Sequence, residues 1–264
     1  MESMKITVIG CGNMGGSIAR ILAKKRPITL CDRNRDRTEV LAGEIGANFI
    51  YDVNEAVKDA DYVILVIKPK DVKAISREID KLKGILISTL AGTPMRTLES
   101  LFPGSEIVRM MPNLPLQCGE GVIALCAHDV DKERIEALLD DLGEIFWVTE
   151  SKMEIITVLA GASPAFIYLF IEALIEAGIE MGLKAKEAEK IVLKTIEGSS
   201  RLLLESMKTP GELKTAVASP GGVTIAGLVE LEKSGFKGVA IKGVLASFKR
   251  VKEMAKSREG EVPK

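Results

Sequence analysis

The chain has 264 residues, with 36 lysines and arginines against 37 aspartates and glutamates, so its formal net charge is −1. This balance argues against a nucleic-acid or membrane-surface partner. The length suffices for one large domain or two modest ones.

The cysteines and the one histidine argue against a metal site. His128 lies in a polar run typical of a surface loop, and the four cysteines stand singly, at Cys11, Cys31, Cys118 and Cys126. We therefore expect no metal and no serine–histidine triad. Unpaired cysteines predict a cytoplasmic location, and no signal peptide is expected because Met1–Lys5 leads directly into a strand.

Strands and helices alternate through residues 1–150. We expect a first helix over 17–24 and short apolar strands at 5–9, 28–31, 47–51, 62–67, 85–89, 106–110, 121–126 and 145–148. Runs that are apolar on both faces are typical of a parallel sheet covered by helices. The pattern predicts a doubly wound α/β domain over residues 1–150.

The strand pattern stops after residue 150. Helices are expected at 164–181, 185–207, 224–233 and 237–256, with a polar tail over 257–264. They predict an all-helical domain over residues 151–264. Ser163 and Pro164 suit the cap and first position of a helix. The apolar run 155–171 is broken there into halves too short to cross a bilayer, so we expect a buried helix and no membrane span.

A GxGxxG motif, Gly10-Cys-Gly-Asn-Met-Gly15, follows the first strand and opens the first helix. Gly10 permits a tight turn, Gly12 lets a pyrophosphate approach the backbone, and Gly15 allows close packing of helix and strand. Asn13 and Met14 in the motif are also candidate cofactor-binding residues, and the N-terminus of the helix that the motif opens attracts phosphates. These residues predict a Rossmann-type dinucleotide site.

The end of the second strand gives two conflicting indications about the dinucleotide. Asp32 lies 22 residues after Gly10, near the position of an acid that binds the adenosine ribose of NAD. Arg33 and Arg35 instead suit the 2′-phosphate of NADP. We favour NADP(H), with NAD(H) as the alternative.

Two loops compete for the nicotinamide, Val66–Lys70 after one strand and Leu90–Thr93 after the next. The ring of a bound dinucleotide lies at the carboxyl ends of the strands. Lys68 is a candidate catalytic lysine, but it has no carboxylate beside it in sequence. Positioning by the loop backbone is the favoured interpretation.

Ser219-Pro-Gly-Gly222 interrupts the helical half, and a helix is expected to restart at once. The bland interpretation is a turn capped by Thr224. The alternative is a carboxylate site, because Gly221 and Gly222 expose backbone N–H groups and the next helix adds its own unpaired donors. Thr224 would supply a neutral hydroxyl.

Four segments together resemble the pyrroline-5-carboxylate reductases: GCGNMG at 10–15, VIKPK at 66–70, RMMPNLP at 109–115 and SPGGVTIAGL at 219–228. The resemblance covers residues 4–255. It implies a Rossmann domain, a helical domain interlocked with a second subunit, and NAD(P)H-dependent reduction of 1-pyrroline-5-carboxylate to L-proline. The partner implied is a second copy, in a homodimer or a larger ring of dimers.

The resemblance also implies residue roles. The substrate carboxylate is bound mainly by the backbone at Ser219, Gly221, Gly222 and Val223, and Thr224 is the catalytic residue near the ring nitrogen. Asn54 contacts the adenosine side, while Lys68-Pro69 and Ala91-Gly92 flank the nicotinamide.

The chain departs from the family pattern at three places. Val223 and Leu114 each replace a threonine, and the run Ala160–Ala165 differs from SGSGPA. These changes put the fine substrate preference in doubt.

Two other functions compete. A β-hydroxyacid-type dehydrogenase needs a catalytic lysine in the helical half, but Lys190 and Lys194 have the spacing of a charged helix face. A non-catalytic nucleotide-binding protein would not need the paired glycines and Thr224.

Overall fold

The computed structural model describes residues 4–259, with side chains through residue 256. Expectations for residues 1–3 and for the tail from 260 onward lie outside the described residues. Residues 257–259, expected in the tail, continue the last helix.

Eight strands and twelve α-helices make up the described chain. The strands are β1 Ile6–Ile9, β2 Ile28–Cys31, β3 Asn48–Phe49, β4 Tyr62–Leu65, β5 Ile85–Ser88, β6 Ile107–Met111, β7 Gly121–Ala127 and β8 Gly143–Trp147. The helices are α1 Asn13–Leu22, α2 Arg35–Ile45, α3 Val53–Val57, α4 Val72–Glu78, α5 Met95–Leu101, α6 Lys132–Leu139, α7 Glu150–Ile156, α8 Ser163–Glu180, α9 Ala185–Glu205, α10 Pro210–Ala216, α11 Val223–Lys233 and α12 Phe236–Glu259.

The strands form one sheet in the order β3-β2-β1-β4-β5-β6-β7-β8. Neighbours are parallel except β6 and β7, which are antiparallel. The chain leaves β1 toward β3, then crosses back to β4, so the strand order reverses between β1 and β4. Ligands bind at such a switch point, outside the carboxyl ends of the strands.

Apolar side chains cover both faces of the sheet, as its two-sided burial requires. One cluster joins the sheet to α1, α2 and α6 through Ile18, Leu22, Leu41 and Leu138. The other joins it to α3, α4 and α5 through Val57, Val72 and Leu98. The predicted doubly wound α/β fold is confirmed.

Three elements differ from the sequence expectation. The first helix begins at Asn13 rather than Ser17, so its N-terminus directly follows Gly12. The third strand shrinks to Asn48–Phe49 at an exposed edge. The helix Pro210–Ala216 was not predicted, although Thr209 and Glu212 form a capping box, which is a sequence signal for a helix start.

The apolar run after residue 150 is not broken where the sequence indicated. A π-helical segment, Thr157–Ala162, joins α7 to α8. Ser163 has helical backbone angles, and its hydroxyl donates to the Val158 carbonyl instead of capping a helix. The wider π turn accommodates Pro164, which lacks an N–H. The expected role of Ser163 as a helix cap was therefore wrong, although α8 begins within one residue of the expected position.

The segment Glu150–Glu180 is 31 residues long, with mean hydropathy 1.9 over its most apolar window, and only 6% of that window is buried. It is long and apolar enough to cross a membrane by length and composition alone. The expectation that this run is broken into two short halves was wrong, and so was the expectation that it is buried within the single chain.

The chain divides into two units, Met1–Pro164 with Ser247–Lys264, and Ala165–Ala246. The boundary expected after residue 150 stays a prediction. Within the second unit only Gly178 and Ala188 are buried. These two residues mark a close approach of α8 and α9, because a Cβ at Gly178 would lie 3.0 Å from that of Ala188. The second unit has almost no core of its own.

A buried cation anchors α7 to the sheet in the first unit. Arg109 on β6 is 3% exposed, and its Nη1 donates to Glu150 Oε1 at 2.7 Å. The same oxygen accepts the Met95 backbone N–H at 2.5 Å. Glu150 thus ties the start of α7 to β6 and to the first residue of α5. Glu154 is the more distant partner, 3.9 Å from Arg109.

We expect Glu150→Ala to lower the free energy of unfolding by about 2–3 kcal/mol, because it leaves a buried guanidinium poorly paired. Glu154→Ala is the matched control and should have the smaller effect. Urea denaturation of both variants measures the difference. Equal losses would show that Glu150 does not anchor the helix.

Candidate functional site: a dinucleotide pocket and a glycine loop

The turn after β1 needs glycine at two positions for packing. Gly10 has φ +98°, and a Cβ there would collide with the Val66 carbonyl oxygen. A Cβ at Gly15 would collide with the Gly10 carbonyl oxygen. The two glycines therefore let α1 approach β1 and the end of β4 more closely than a side chain would allow.

Gly12 differs from these two glycines because a Cβ there would meet nothing within 4 Å. It is the N-cap of α1, with no side-chain capping bond, so the N–H groups of the first turn stay available. Asn13 is exposed and Met14 half-buried in that turn. Open space in front of free N–H groups fits a dinucleotide's pyrophosphate.

A pocket of about 450 Å³ lies at this carboxyl edge of the sheet. Gly10, Gly12, Asp32, Arg33 and Lys68 line it, so it brings together five residues that the sequence indicated. The remaining lining residues were not among the predicted site residues; they include Arg37, Tyr51, Val53, Asp71, Ile75 and Glu78.

Asp32 is held by three donors at the end of β2. Its Oδ2 accepts the Cys11 N–H at 2.6 Å and Arg37 Nη2 at 2.8 Å, while Oδ1 accepts the Asn34 N–H at 2.8 Å. Burial alone would raise the pKa of Asp32, but these hydrogen bonds outweigh burial and hold the pKa below its usual value. The carboxylate is therefore charged and fixed in place.

The arginines after β2 separate into two groups. Arg33 lines the pocket, 3.8 Å from Asp71, and Arg37 lines it beside Asp32. Arg35 instead stacks on Tyr51, with Cζ 4.6 Å from the ring centroid. Arg35 does not line the pocket, and its expected role beside Arg33 stays a prediction. Arg35 and Arg37 are neighbours on α2, and the helix turn selects which one reaches Asp32.

Asn54 does not line the pocket, although the resemblance implied a contact with adenosine. Its Nδ2 donates to Asp80 Oδ2 at 2.7 Å, and its Oδ1 accepts the Asp80 N–H at 3.0 Å. Both ends of the carboxamide are thus engaged elsewhere. The preceding residue, Val53, lines the pocket instead. Adjacent residues in a helix point about 100° apart, so a one-residue shift changes the face.

The two nicotinamide candidates follow strands that share one edge. β4 pairs in parallel with both β1 and β5, so the loops after these three strands lie on the same side of the sheet. Lys68-Pro69 begins a 3₁₀ turn, with Lys68 lining the pocket. Gly92 has φ +61°, a conformation that favours glycine, and Ala91 precedes it half-buried. The placement of these loops is compatible with backbone positioning of a ring.

The glycine loop lies in the second unit and begins α11. Gly221 has φ +68°, a conformation that favours glycine, and a Cβ at Gly222 would require the Ser219 hydroxyl to rotate away. Gly222 is the N-cap of α11 and has no side-chain capping bond. Val223 is 93% exposed as the first helical residue. The loop presents unpaired helix N–H groups.

Thr224 does not cap the helix. It occupies the second helical position, and within residues 4–259 its hydroxyl forms no hydrogen bond. The bland interpretation, a turn capped by this threonine, therefore lacks its capping bond. The exposed hydroxyl stands among free N–H donors, an arrangement suited to a small carboxylate with a second polar group.

Residues 150–254 match the family described as pyrroline-5-carboxylate reductase dimerisation, and residues 5–92 match one described as NADP oxidoreductase coenzyme F420-dependent. The pyrroline-5-carboxylate reductase of Aquifex aeolicus is 34% identical over 260 residues, covering 96% of this chain and 98% of that protein. The chain belongs to the pyrroline-5-carboxylate reductase family.

Solved structures of the family agree along the whole chain. The pyrroline-5-carboxylate reductase of Streptococcus pyogenes has a TM-score of 0.90 at 31% identity, over 96% of this chain and all of that one. The Plasmodium falciparum enzyme, crystallised with NADP bound, has a TM-score of 0.88 at 30% identity, over 97% and 99%. The predicted family and fold are confirmed.

Gly12→Val should weaken dinucleotide binding by about tenfold or more while leaving the chain folded, because the side chain projects into open space where phosphate would sit. The control is Gly15→Ala, whose Cβ has no room and which should lower stability instead by about 1–3 kcal/mol. Calorimetric titration beside thermal unfolding separates the two effects. A folded Gly12→Val protein with unchanged affinity would contradict the placement of the pyrophosphate.

Proposed function

We propose that this chain reduces 1-pyrroline-5-carboxylate to L-proline with NAD(P)H, the last step of proline biosynthesis. Membership of the reductase family supports the reaction. The observation that carries the assignment of a substrate site is the N-terminus of α11, with its two glycines, uncapped N–H groups and unpaired Thr224 hydroxyl. A reductase assay with and without pyrroline-5-carboxylate tests the proposal.

In this proposal the glycine loop binds the substrate carboxylate. Backbone N–H groups of the loop from Ser219 to Val223, other than that of Gly222, which donates to the Ser219 carbonyl, stabilise one negative charge together with the positive end of the α11 dipole. A valine at 223 serves as well as a threonine would, because only its N–H takes part. The loop therefore orients the ring without using a charged side chain.

Thr224 is the proposed catalytic residue. A cyclic imine is electrophilic when protonated, so the chain needs to hold the ring nitrogen and need not supply a strong acid. The Thr224 hydroxyl can donate to that nitrogen or accept from it. A bound nicotinamide supplies the hydride. Orientation of the substrate by the protein then accounts for much of the rate enhancement.

The first unit holds the dinucleotide in the proposal. Gly10, Gly12 and Gly15, with Asn13 and Met14, form the pyrophosphate turn, and Lys68-Pro69 with Ala91-Gly92 flank the nicotinamide. The choice between NADP(H) and NAD(H) is a finer proposal. Arg33 favours the phosphorylated form that the Plasmodium relative holds, whereas Asp32 favours the form without the phosphate.

Two competing functions receive less support. Lys194 pairs with Glu197 at 2.9 Å on an exposed face of α9, which fits a charged helix surface rather than a buried catalytic lysine. Curated relatives at 32–35% identity are pyrroline-5-carboxylate reductases by name. A panel of hydroxy acids against pyrroline-5-carboxylate would separate the reductase from a β-hydroxyacid dehydrogenase.

The cysteines support a cytoplasmic location for this reaction. All four thiols are free, and three of them are buried. Burial, with the nearby Asp32 charge, raises the pKa of Cys11 to about 11, and burial raises the pKa of Cys31 to about 12. Such thiols stay protonated and unreactive at neutral pH.

The proposed partner is a second copy of the chain. The second unit buries only two residues by itself, while apolar side chains are exposed along four of its helices, among them Phe166, Leu169, Ile191, Leu204, Val229 and Ile241. Exposed apolar surface of that extent is typical of an interface that a partner buries. The family described as pyrroline-5-carboxylate reductase dimerisation matches these helices. A homodimer, or a larger ring of dimers, would bury that surface.

We expect sedimentation to show a dimer or a larger assembly at assay concentration. Leu169→Glu, at a position 66% exposed in the single chain, should dissociate it, because a carboxylate would then be buried in the interface. Val40→Glu is the matched control, since Val40 on α2 is 72% exposed and lies outside the helical unit. An active wild-type monomer would refute the proposed interface.

We expect Thr224→Ala to lower turnover by at least about tenfold, with less than about 1 kcal/mol lost in stability because Thr224 makes no capping bond. Thr224→Ser should retain much of the activity, since it keeps the hydroxyl. Val223→Thr should change little. Steady-state kinetics with pyrroline-5-carboxylate beside thermal unfolding measures all three. Normal turnover in Thr224→Ala would restore the interpretation of a plain turn.

A further inference from the structure

The Asp32 side chain accepts backbone N–H groups from two different turns, the one after β1 and the one before α2. Among the pocket-lining residues that the structure describes, only Asp32 does so. Cys11 follows β1 and Asn34 caps α2, so the carboxylate joins the glycine turn to the second helix. Its side chain is 7% exposed. It cannot swing away from a ligand without breaking both turns.

The hydrogen bonds of Asp32 leave one acceptor position. Oδ2 already accepts two hydrogen bonds and Oδ1 accepts one. A carboxylate has about four acceptor sites, so Oδ1 retains one. A ribose 2′-hydroxyl can donate to it. A 2′-phosphate, which offers mainly acceptor oxygens and negative charge, cannot.

The cations of the pocket are already matched by carboxylates. Arg37 is bonded to Asp32, and Arg33 lies 3.8 Å from Asp71. With Lys68 and Glu78 included, the lining carries three cations and three carboxylates. A dianionic 2′-phosphate would therefore enter a pocket without surplus positive charge, close to a fixed negative one.

From these contacts we infer that the adenosine end of the pocket selects NAD(H) over NADP(H), with Asp32 as the residue that determines the choice. This inference rests on the proposed function and reverses the preference for NADP(H) indicated by the arginine-rich sequence. Arg33 and Arg37 then act as partners of Asp71 and Asp32, and not as a phosphate clamp.

The test is calorimetric titration of the full-length protein with NADH and NADPH. We expect NADH to bind about tenfold more tightly or better, a ratio that corresponds to about one uncompensated charge contact. ADP and 2′,5′-ADP, which differ only in the 2′-phosphate, should show the same order. This second pair isolates the adenosine end from the nicotinamide.

Asp32→Asn removes the charge and keeps an acceptor oxygen, so the NADH-to-NADPH ratio should shrink to about twofold. Glu78→Gln, the matched control, removes another carboxylate from the same lining and should change the ratio less than Asp32→Asn does, because the fixed carboxylate at the end of β2 stays in place. Thermal unfolding reports whether each variant is folded. If Asp32→Asn does not fold, the wild-type ratios with both ligand pairs still decide.

Equal or tighter binding of NADPH by the wild type would overturn the inference, as would an equal change of the ratio in Glu78→Gln. Such results would leave the proposed function intact if the protein still reduced pyrroline-5-carboxylate. Absence of both dinucleotide binding and reduction would instead refute the proposed function together with the inference.

Discussion

The dinucleotide pocket depends on how closely the first helix approaches the sheet. Gly15 lies against the carbonyl of Gly10, and Gly10 lies against that of Val66, with no room for a Cβ at either position. This contact sets α1 at the switch point between β1 and β4, with its unpaired N–H groups at the carboxyl edge. The third glycine, Gly12, takes no part in that packing, so it is free to face a ligand. Within one short motif, Gly10 and Gly15 therefore serve packing, and Gly12 is left open for binding.

Asp32 connects the fold to the choice of ligand. The carboxylate closes the glycine turn through Cys11 and the start of α2 through Asn34, and both bonds favour its charged form. In the binding mode that we infer, a charge that stabilises two turns would also lie beside the adenosine ribose. Structure and selectivity would then depend on the same side chain. The neighbouring arginines compensate that charge in the folded chain, which limits what they can offer to an incoming phosphate.

The second unit, Ala165–Ala246, differs from the first because it does not form a hydrophobic core by itself. Its helices expose many apolar side chains, and only Gly178 and Ala188 are buried in the single chain. The substrate loop that we propose belongs to this unit, at the start of α11. If a second copy covers these helices, the same association that removes apolar surface from water also fixes the helix that carries Thr224. Assembly and catalysis would then depend on one another.

Short-range pattern was enough to predict the strands, the glycine turn and the family, since strand periodicity, glycine spacing and the segment at 219–228 are local properties. It failed where the outcome depends on which neighbour a side chain meets. Arg37 rather than Arg35 lines the pocket beside Arg33, Val53 rather than Asn54 faces it, and Ser163 bonds to the preceding turn rather than capping a helix. Successive residues of a helix point about 100° apart, so a shift of one or two residues changes the face, and only packing in three dimensions selects the residue that meets the pocket. Sequence by itself therefore determined the kind of site, and tertiary structure decided which side chains form it.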